Sequence, residues 1–117
     1  MFSVDGNKKI TITKGDTAAL TIRATNKTFA SADRAVFTIA TRTGEKLYEN
    51  EYQLNNGAFT VQFSNEVTDK WNAGQYKWQV RYVITPVREE GVITGGNEVI
   101  TPEEPKDFVV QSVLSDF

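Results

Sequence analysis

Between residues 76 and 84 the sequence places a bulky apolar or aromatic residue at every second position. These residues are Tyr76, Trp78, Val80, Tyr82 and Ile84. A period of two is the spacing of side chains on one face of a β-strand, so the segment predicts a strand with one face in an apolar core. The intervening Lys77, Gln79 and Arg81 predict a solvent-facing side. Such a strand needs a second layer of structure to cover its apolar face.

Six further segments have strand character and are separated by turn residues. These predicted strands cover residues 9–13, 17–25, 35–41, 46–54, 58–63 and 107–114. The polar segment 46–54 is expected at a sheet edge, because its charges discourage pairing with other chains. The strongest hairpin signal is Asn56-Gly57, since both residues accept the positive φ angles of a type I′ turn.

Two stretches depart from strand periodicity. Near residues 65–73, Val67 and Trp71 stand four positions apart and predict one short helical turn, with Thr68 as its cap. All three prolines of the chain fall within residues 85–106. We expect this stretch to be a long loop or a small hairpin excursion, with pairing between residues 92–94 and 98–101. Loops of this length in compact domains are usually functional or poorly ordered.

The number and spacing of these segments predict an all-β fold. Short strands with turn signals roughly every ten residues, and no long helix, favour an immunoglobulin-like antiparallel β-sandwich of seven to eight strands. An orthogonal barrel is the alternative. A length of 117 residues suits a single domain spanning residues 1–117.

The composition excludes several classes of function. The chain has no cysteine and no histidine, so disulfides and thiolate metal sites are excluded and the commonest general base is missing. A formal net charge of −2 disfavours binding to nucleic acid. The first residues do not resemble a secretory signal, and no apolar run approaches the roughly 20 residues that span a bilayer. We therefore expect a product that is kept, or assembled, in the cytoplasm.

No catalytic, cofactor-binding or metal site is predicted. The acidic pairs at 89–90 and 103–104 are interpreted as solvated loop charges, because no residue that would orient a substrate can be named beside them. Oxygen-bearing residues at 5–7, 15–16 and 97–98 lack the spacing that supplies six or more calcium ligands, so turn chemistry is favoured there.

The aromatic residues have two interpretations. The stripe at 76–82 could form a sugar-stacking platform, but Val80 on the same face favours a core role. Tyr48 and Tyr52, on the predicted edge strand, are better placed to contact a partner. The candidate partner-contact residues are Tyr48, Tyr52, Glu89, Glu90 and Asn97.

Three segments carry a resemblance to a known family. They are Lys14-Gly15-Asp16 with the strand that follows it to Ile22, the pattern Thr68-x-x-Trp71-x-x-Gly74-x-Tyr76-x-Trp78-x-Val80, and the late strand Phe108-x-Val110. In these segments the chain resembles small β-sandwich proteins in phages and prophages of Gram-positive bacteria. Those proteins are similar to the N-terminal domain of the baseplate upper protein family. The resemblance implies a virion component and supplies no catalytic residues.

The resemblance therefore implies a structural or adaptor component of a phage or prophage particle, in its tail, in its baseplate or associated with a fibre. The expected partners are other virion or prophage structural proteins and copies of the chain itself, with no nucleic acid, membrane or cofactor. The expected location is the virion, after assembly in the cytoplasm of the host bacterium. The alternative is a non-catalytic glycan- or ligand-binding β-sandwich module that presents its loops. An enzyme is not expected.

Overall fold

The computed structural model describes residues 1–24 and 27–114 of the chain. Within these ranges nine strands and one short helix follow one another along the sequence. They are β1 (Phe2–Val4), β2 (Ile10–Thr13), β3 (Ala18–Arg23), β4 (Arg34–Ala40), β5 (Lys46–Gln53), β6 (Ala58–Phe63), α1 (Asn65–Thr68), β7 (Gly74–Glu89), β8 (Val92–Ile100) and β9 (Lys106–Gln111). Thr25, the predicted end of the second strand, lies outside the described residues.

The strands form two sheets that share one apolar core. The larger sheet has seven strands in the order β1-β2-β9-β7-β4-β5, with β8 paired to β7 off this path, and the smaller sheet contains β3 and β6. The predicted all-β sandwich is confirmed, and across the described residues the two sheets stay separate instead of closing into a barrel. Two details differ from expectation. The strands number nine because β1 also pairs, and β2 runs parallel to β9.

The core lies where the alternating apolar faces of the two sheets meet. Trp78, Val80 and Tyr82 of β7 are buried, which confirms the interpretation of the aromatic stripe as core. Trp78 stacks on Phe37 of β4 with ring centroids 5.6 Å apart. Phe63 of the smaller sheet approaches Phe37 at 6.2 Å, so the contact joins the two layers.

The predicted helical turn forms as α1, but its cap differs from the expectation. Ser64 is the N-cap, and its side chain accepts a hydrogen bond from the Val67 N–H. Thr68 lies at the other end of the turn, fully buried, and its hydroxyl donates to the carbonyl of Asp16 at 2.8 Å. Thr68 therefore ties α1 to the turn before β3 and does not start the helix.

Residues 85–106 are mainly a hairpin, the second of the two expected alternatives. The expected pairing of residues 92–94 with 98–101 is wrong, because residues 92–100 form one strand, β8, which pairs with β7. β7 continues five residues beyond Ile84 to Glu89, turns at Glu90-Gly91 and returns as β8. The pairing of β4 with β7 ends at Val83, so the hairpin continues beyond β4. We call residues 84–98 the arm. Pro86 fits within this strand because proline is tolerated at a strand edge, where no ladder hydrogen bond needs its N–H.

The arm bends at its base. Thr85 has a positive φ of 50°, and its N–H donates to the buried carboxylate of Asp33 at 3.0 Å. Opposite the bend, a Cβ on Gly96 would lie 2.7 Å from the carbonyl oxygen of Ile84, so only glycine fits there. Further out, Arg88 of the arm binds Glu51 on β5. The arm therefore leans over the outer face of the larger sheet.

Candidate functional site

β3 is hydrogen-bonded to a strand on one side only. It pairs with β6 from Ala18 to Arg23, and within residues 1–24 and 27–114 no strand lies along its other edge. The Ala24 N–H donates to the carbonyl of Gly57 at 2.8 Å. Bonded and non-bonded pairs alternate along an antiparallel ladder. Ile22 and Leu20, two and four positions from Ala24, therefore also direct their backbone groups toward β6.

The same alternation determines which groups face away from β6. Ala19, Thr21 and Arg23 direct their backbone N–H and C=O groups to the other side of β3, which we call the open edge. The side chains agree with this register, because the hydroxyls of Thr21 and Thr60 lie 2.9 Å apart, as expected for the closer, non-bonded type of pair. A row of such groups can accept a further strand by main-chain hydrogen bonds.

A cleft of about 550 Å³ lies along the open edge, and we call it the β3 cleft. Its floor is the inner face of β7, its near wall is β3, and its far wall is the loop at residues 101–105. Its apolar lining includes Leu20, Ile22, Phe29, Trp78, Val80 and Tyr82. Trp78 and Val80 are each 8% exposed, more than any other buried core residue, so the floor is incompletely covered.

The unequal width of the two sheets produces the β3 cleft. The smaller sheet contains only β3 and β6, whereas the larger sheet continues from β7 through β9 and β2 to β1. A strand placed beside β3 would enter this cleft, whose apolar lining combines the buried Trp78 and Val80 with the partly buried Leu20, Ile22 and Phe29. The sandwich has a vacant strand position next to the open edge.

The rim of the β3 cleft carries charges of both signs. Lys8 forms an ion pair with Glu103, and its hydrogen bond holds the pKa of that carboxyl below its ordinary value. Lys27 pairs with Glu98 at 3.1 Å. In the floor, burial raises the pKa of the Tyr82 hydroxyl, and the nearby charge of Glu103 adds to the effect. Tyr82 therefore stays protonated at neutral pH and supplies a hydrogen-bond donor.

Tyr48 and Tyr52, two of the predicted contact residues, lie on β5 at the edge of the larger sheet, which confirms the predicted edge position. Their rings are half-buried and point into the core, where Tyr48 packs on Phe63 and Tyr52 stacks on Phe59. Their hydroxyls share a hydrogen bond. Burial, followed by the hydrogen bond shared with Tyr48, raises the pKa of Tyr52. Their contact with a partner stays a prediction, and the exposed surface they offer for it is small.

Glu89, Glu90 and Asn97, the other three predicted residues, all lie on the arm and are exposed. The fold does not bring them together with the tyrosines, because the tyrosine rings face inward and the arm leans over the outer face. Sequence reasoning missed Arg88, which pairs with Glu51 at 2.7 Å. Its hydrogen bonds lower the pKa of Glu51, and the pKa of Arg88 is raised by the same contact.

The carboxylates of the turns considered as calcium ligands have partners within the chain: Asp16 pairs with the amino group of Met1, and Glu98 pairs with Lys27. Asp5 accepts hydrogen bonds from the N–H groups of Asn7 at 2.8 Å and Lys9 at 3.0 Å, as predicted from turn chemistry. In the part of the chain that the structure describes, no three carboxylates gather closely enough to hold a metal ion. None of the described helices is long and apolar enough to cross a membrane.

No family model matches the chain, and no curated protein is significantly similar to it. The function of the chain is therefore argued from the open edge, the β3 cleft and the arm.

Proposed function

We propose that this chain is a non-catalytic structural or adaptor component of a phage or prophage particle, acting through contacts with other virion proteins and with copies of itself. The single observation that carries the proposal is the open edge of β3 beside an apolar cleft. A strand added there would gain main-chain hydrogen bonds from the edge and bury its apolar side chains on the cleft floor. The resemblance in sequence supplies the kind of particle.

Three further features support a role in assembly. β1 and β5 end the larger sheet, so each offers an edge to a partner. Beyond Val83 the arm is only two strands wide and carries the exposed Val87 and Val92. Monomeric proteins usually cover or blunt such edges, and exposed edges and apolar patches mark contact surfaces.

The test of this proposal is the presence of the chain in particles. We expect mass spectrometry of purified, nuclease-treated phage particles from the source bacterium to detect it at a stoichiometry fixed relative to other tail proteins. We also expect tail or capsid genes beside its gene. Absence from the particles, together with metabolic genes on both sides, would contradict the proposal.

A second candidate function is binding of a glycan or another small ligand in the β3 cleft. The observation that favours it is the cleft volume of about 550 Å³ with Phe29, Trp78 and Tyr82 in its lining, because small-molecule sites are apolar clefts of roughly 300–1,000 Å³. A glycan array followed by tryptophan fluorescence titration distinguishes the two functions. A ligand in the cleft is expected to shift the fluorescence emission of Trp78 in a Trp71→Phe variant. If no glycan on the array binds the protein, glycan binding is excluded as its function.

A further inference from the structure

We propose that the β3 cleft of one copy receives the arm of a second copy, which adds a strand to the open edge of β3. This inference rests on the proposed function, since it names one contact through which copies of the chain assemble. It is carried by the shape of the cleft, by the free edges of the arm and by the apolar and charged side chains of both surfaces.

The shape of the cleft favours a slender occupant. The cleft lies between β3 and the loop at residues 101–105, so an occupant must fit between these two walls. A hairpin presents one strand to the edge without a second layer behind it. The arm has this form, since β8 pairs only with β7 among the described strands and the β4 pairing of β7 ends at Val83.

The apolar side chains of the arm match the cleft floor. Val87 and Val92, on either side of the turn, are 55% and 64% exposed. They are the most exposed large apolar side chains of the described strands. The cleft offers the partly buried Leu20, Ile22 and Phe29 for them to cover, beside the buried Trp78 and Val80. Burying two valines that are exposed in the free protein favours association through the hydrophobic effect.

The charges of the two surfaces are complementary. Glu89 and Glu90 occupy the tip of the arm and are exposed. The lining of the cleft includes four cationic side chains, Lys8, Arg23, Lys27 and Lys106, and two anionic ones, Glu103 and Glu104. With Glu98, which pairs with Lys27, the rim has four cations and three anions, so a cationic excess of one charge attracts the acidic tip and steers the arm toward the cleft.

Each half of the contact, the cleft and the arm, is tested by one variant with its own control. Thr21→Pro removes an N–H that faces the open edge, and proline is tolerated there because that N–H has no partner in the β3–β6 ladder. Thr21→Val is its control, because it loses the same hydroxyl but keeps the N–H. Val87→Ser/Val92→Ser removes the apolar side chains of the arm, and Val113→Ser, at an exposed valine outside both surfaces, is its control.

Sedimentation velocity over a wide range of protein concentration measures the association. We expect the wild type to associate, and each test variant to raise the dissociation constant by about tenfold or more, whereas both controls behave as the wild type. An equimolar mixture of the two test variants is expected to form a one-to-one dimer, because one supplies an intact arm and the other an intact cleft. Melting curves establish that each variant is folded, and Ala19→Pro replaces Thr21→Pro if the latter does not fold.

Three results would overturn the inference: a wild type that stays monomeric, an association that neither variant weakens, and a mixture that does not form the dimer. These results can be distinguished from results that contradict the proposed role in a particle. Detection of the chain in particles together with any of them overturns the arm-in-cleft contact alone. Absence from particles overturns the particle role, even where copies associate in solution.

Discussion

Asp33 joins two segments through one buried carboxylate. The residue is 3% exposed, and its two oxygens accept hydrogen bonds from the N–H groups of Ala30 at 2.7 Å and Thr85 at 3.0 Å. A buried carboxylate is tolerated only when donors of this kind compensate for the loss of water. The second bond holds Thr85 at its positive φ of 50°, a conformation that is rare for a β-branched residue. Asp33 therefore fixes the point at which the arm leaves β4.

Replacing Asp33 with alanine is expected to lower the free energy of unfolding by about 1–3 kcal/mol for each backbone N–H that is left without an acceptor. Asp33→Asn keeps one acceptor oxygen and is expected to lose less. Urea denaturation of the two variants measures the difference. An Asp33→Ala protein as stable as the wild type would show that the carboxylate does not support the bend.

Trp78 links the core to the cleft floor. It stacks on Phe37, and its indole Nε1–H donates to the carbonyl of Lys8 at 3.0 Å. Trp78→Ala is expected to cost about 3–5 kcal/mol of stability, as truncations of large buried aromatic residues do. Gln75→Ala, at an exposed position on the same strand, is the control and should leave the melting temperature almost unchanged. A cooperative melt unchanged by Trp78→Ala would contradict its core role.

At the scale of single elements, the arm is the part of the described fold with few contacts to the rest of the molecule. It contacts the rest of the molecule through its base and through Arg88, which donates to both carboxylate oxygens of Glu51 at 2.7 and 3.0 Å. Elements with few buried contacts open locally at lower free energy than the core. We therefore expect changes at the tip and at this ion pair to alter the arm and leave the sandwich intact.

The turn at the tip of the arm can be improved. Glu90 has φ 52° and Gly91 has φ 82°, as in a type I′ turn, and glutamate tolerates that region poorly whereas asparagine favours it. Glu90→Asn is expected to stabilise the hairpin by up to about 1 kcal/mol. Amide hydrogen exchange of residues 87–94 measures this as slower exchange. Glu89→Asn is the control outside the turn, and faster exchange in Glu90→Asn would contradict the turn assignment.

The contact between Arg88 and Glu51 makes the arm sensitive to acid. Its hydrogen bonds lower the pKa of Glu51 below the ordinary 4.5, so the stabilisation is present above that value and is lost as the pH falls through the lower, folded-state pKa. We expect NMR shifts of arm amides to show a transition in this acidic range. Glu51→Gln should abolish the transition and loosen the arm at neutral pH. The same transition in Glu51→Gln would assign it to another group.

The sequence predicts strands and their buried faces correctly where apolar and polar residues alternate without interruption. The stripe from Trp78 to Tyr82 is buried as its alternation predicts, and Asn56-Gly57 forms a turn with φ angles of 51° and 78°, as the pair predicts. These features depend on neighbours in the chain. Pattern and turn chemistry therefore suffice to locate most strands.

The extent of the arm, its pairing with β7 and the cleft were not predicted because they depend on contacts distant in sequence. Thr85-Pro86 is typical of a strand end, and the continuation of β7 through it is supported by Asp33, 52 residues earlier. The β3 cleft depends on how many strands join the smaller sheet, which the alternation of residues 17–25 does not encode. Glu89, Glu90 and Asn97 are exposed, as expected for a segment of turn and loop composition, and their contact with a partner stays a prediction.

At the scale of the whole molecule, two sheets of unequal width explain where the protein can act. Seven strands face two, and the open edge of β3 in the smaller sheet lies beside the β3 cleft, where Trp78 and Val80 are 8% exposed. Both tryptophans and most of the phenylalanines are used in the packing of the core. The surfaces that remain for contacts are strand edges, the β3 cleft and the arm.

Amide hydrogen exchange along β3, followed by NMR in the dilute and the assembled protein, tests the open edge most directly. In dilute protein the amides of Leu20 and Ile22 are expected to be protected, and those of Ala19, Thr21 and Arg23 to exchange rapidly. On assembly the latter three should become protected as well. Protection of all five amides in the dilute monomer, or rapid exchange of Ala19, Thr21 and Arg23 that persists after assembly, would contradict the account.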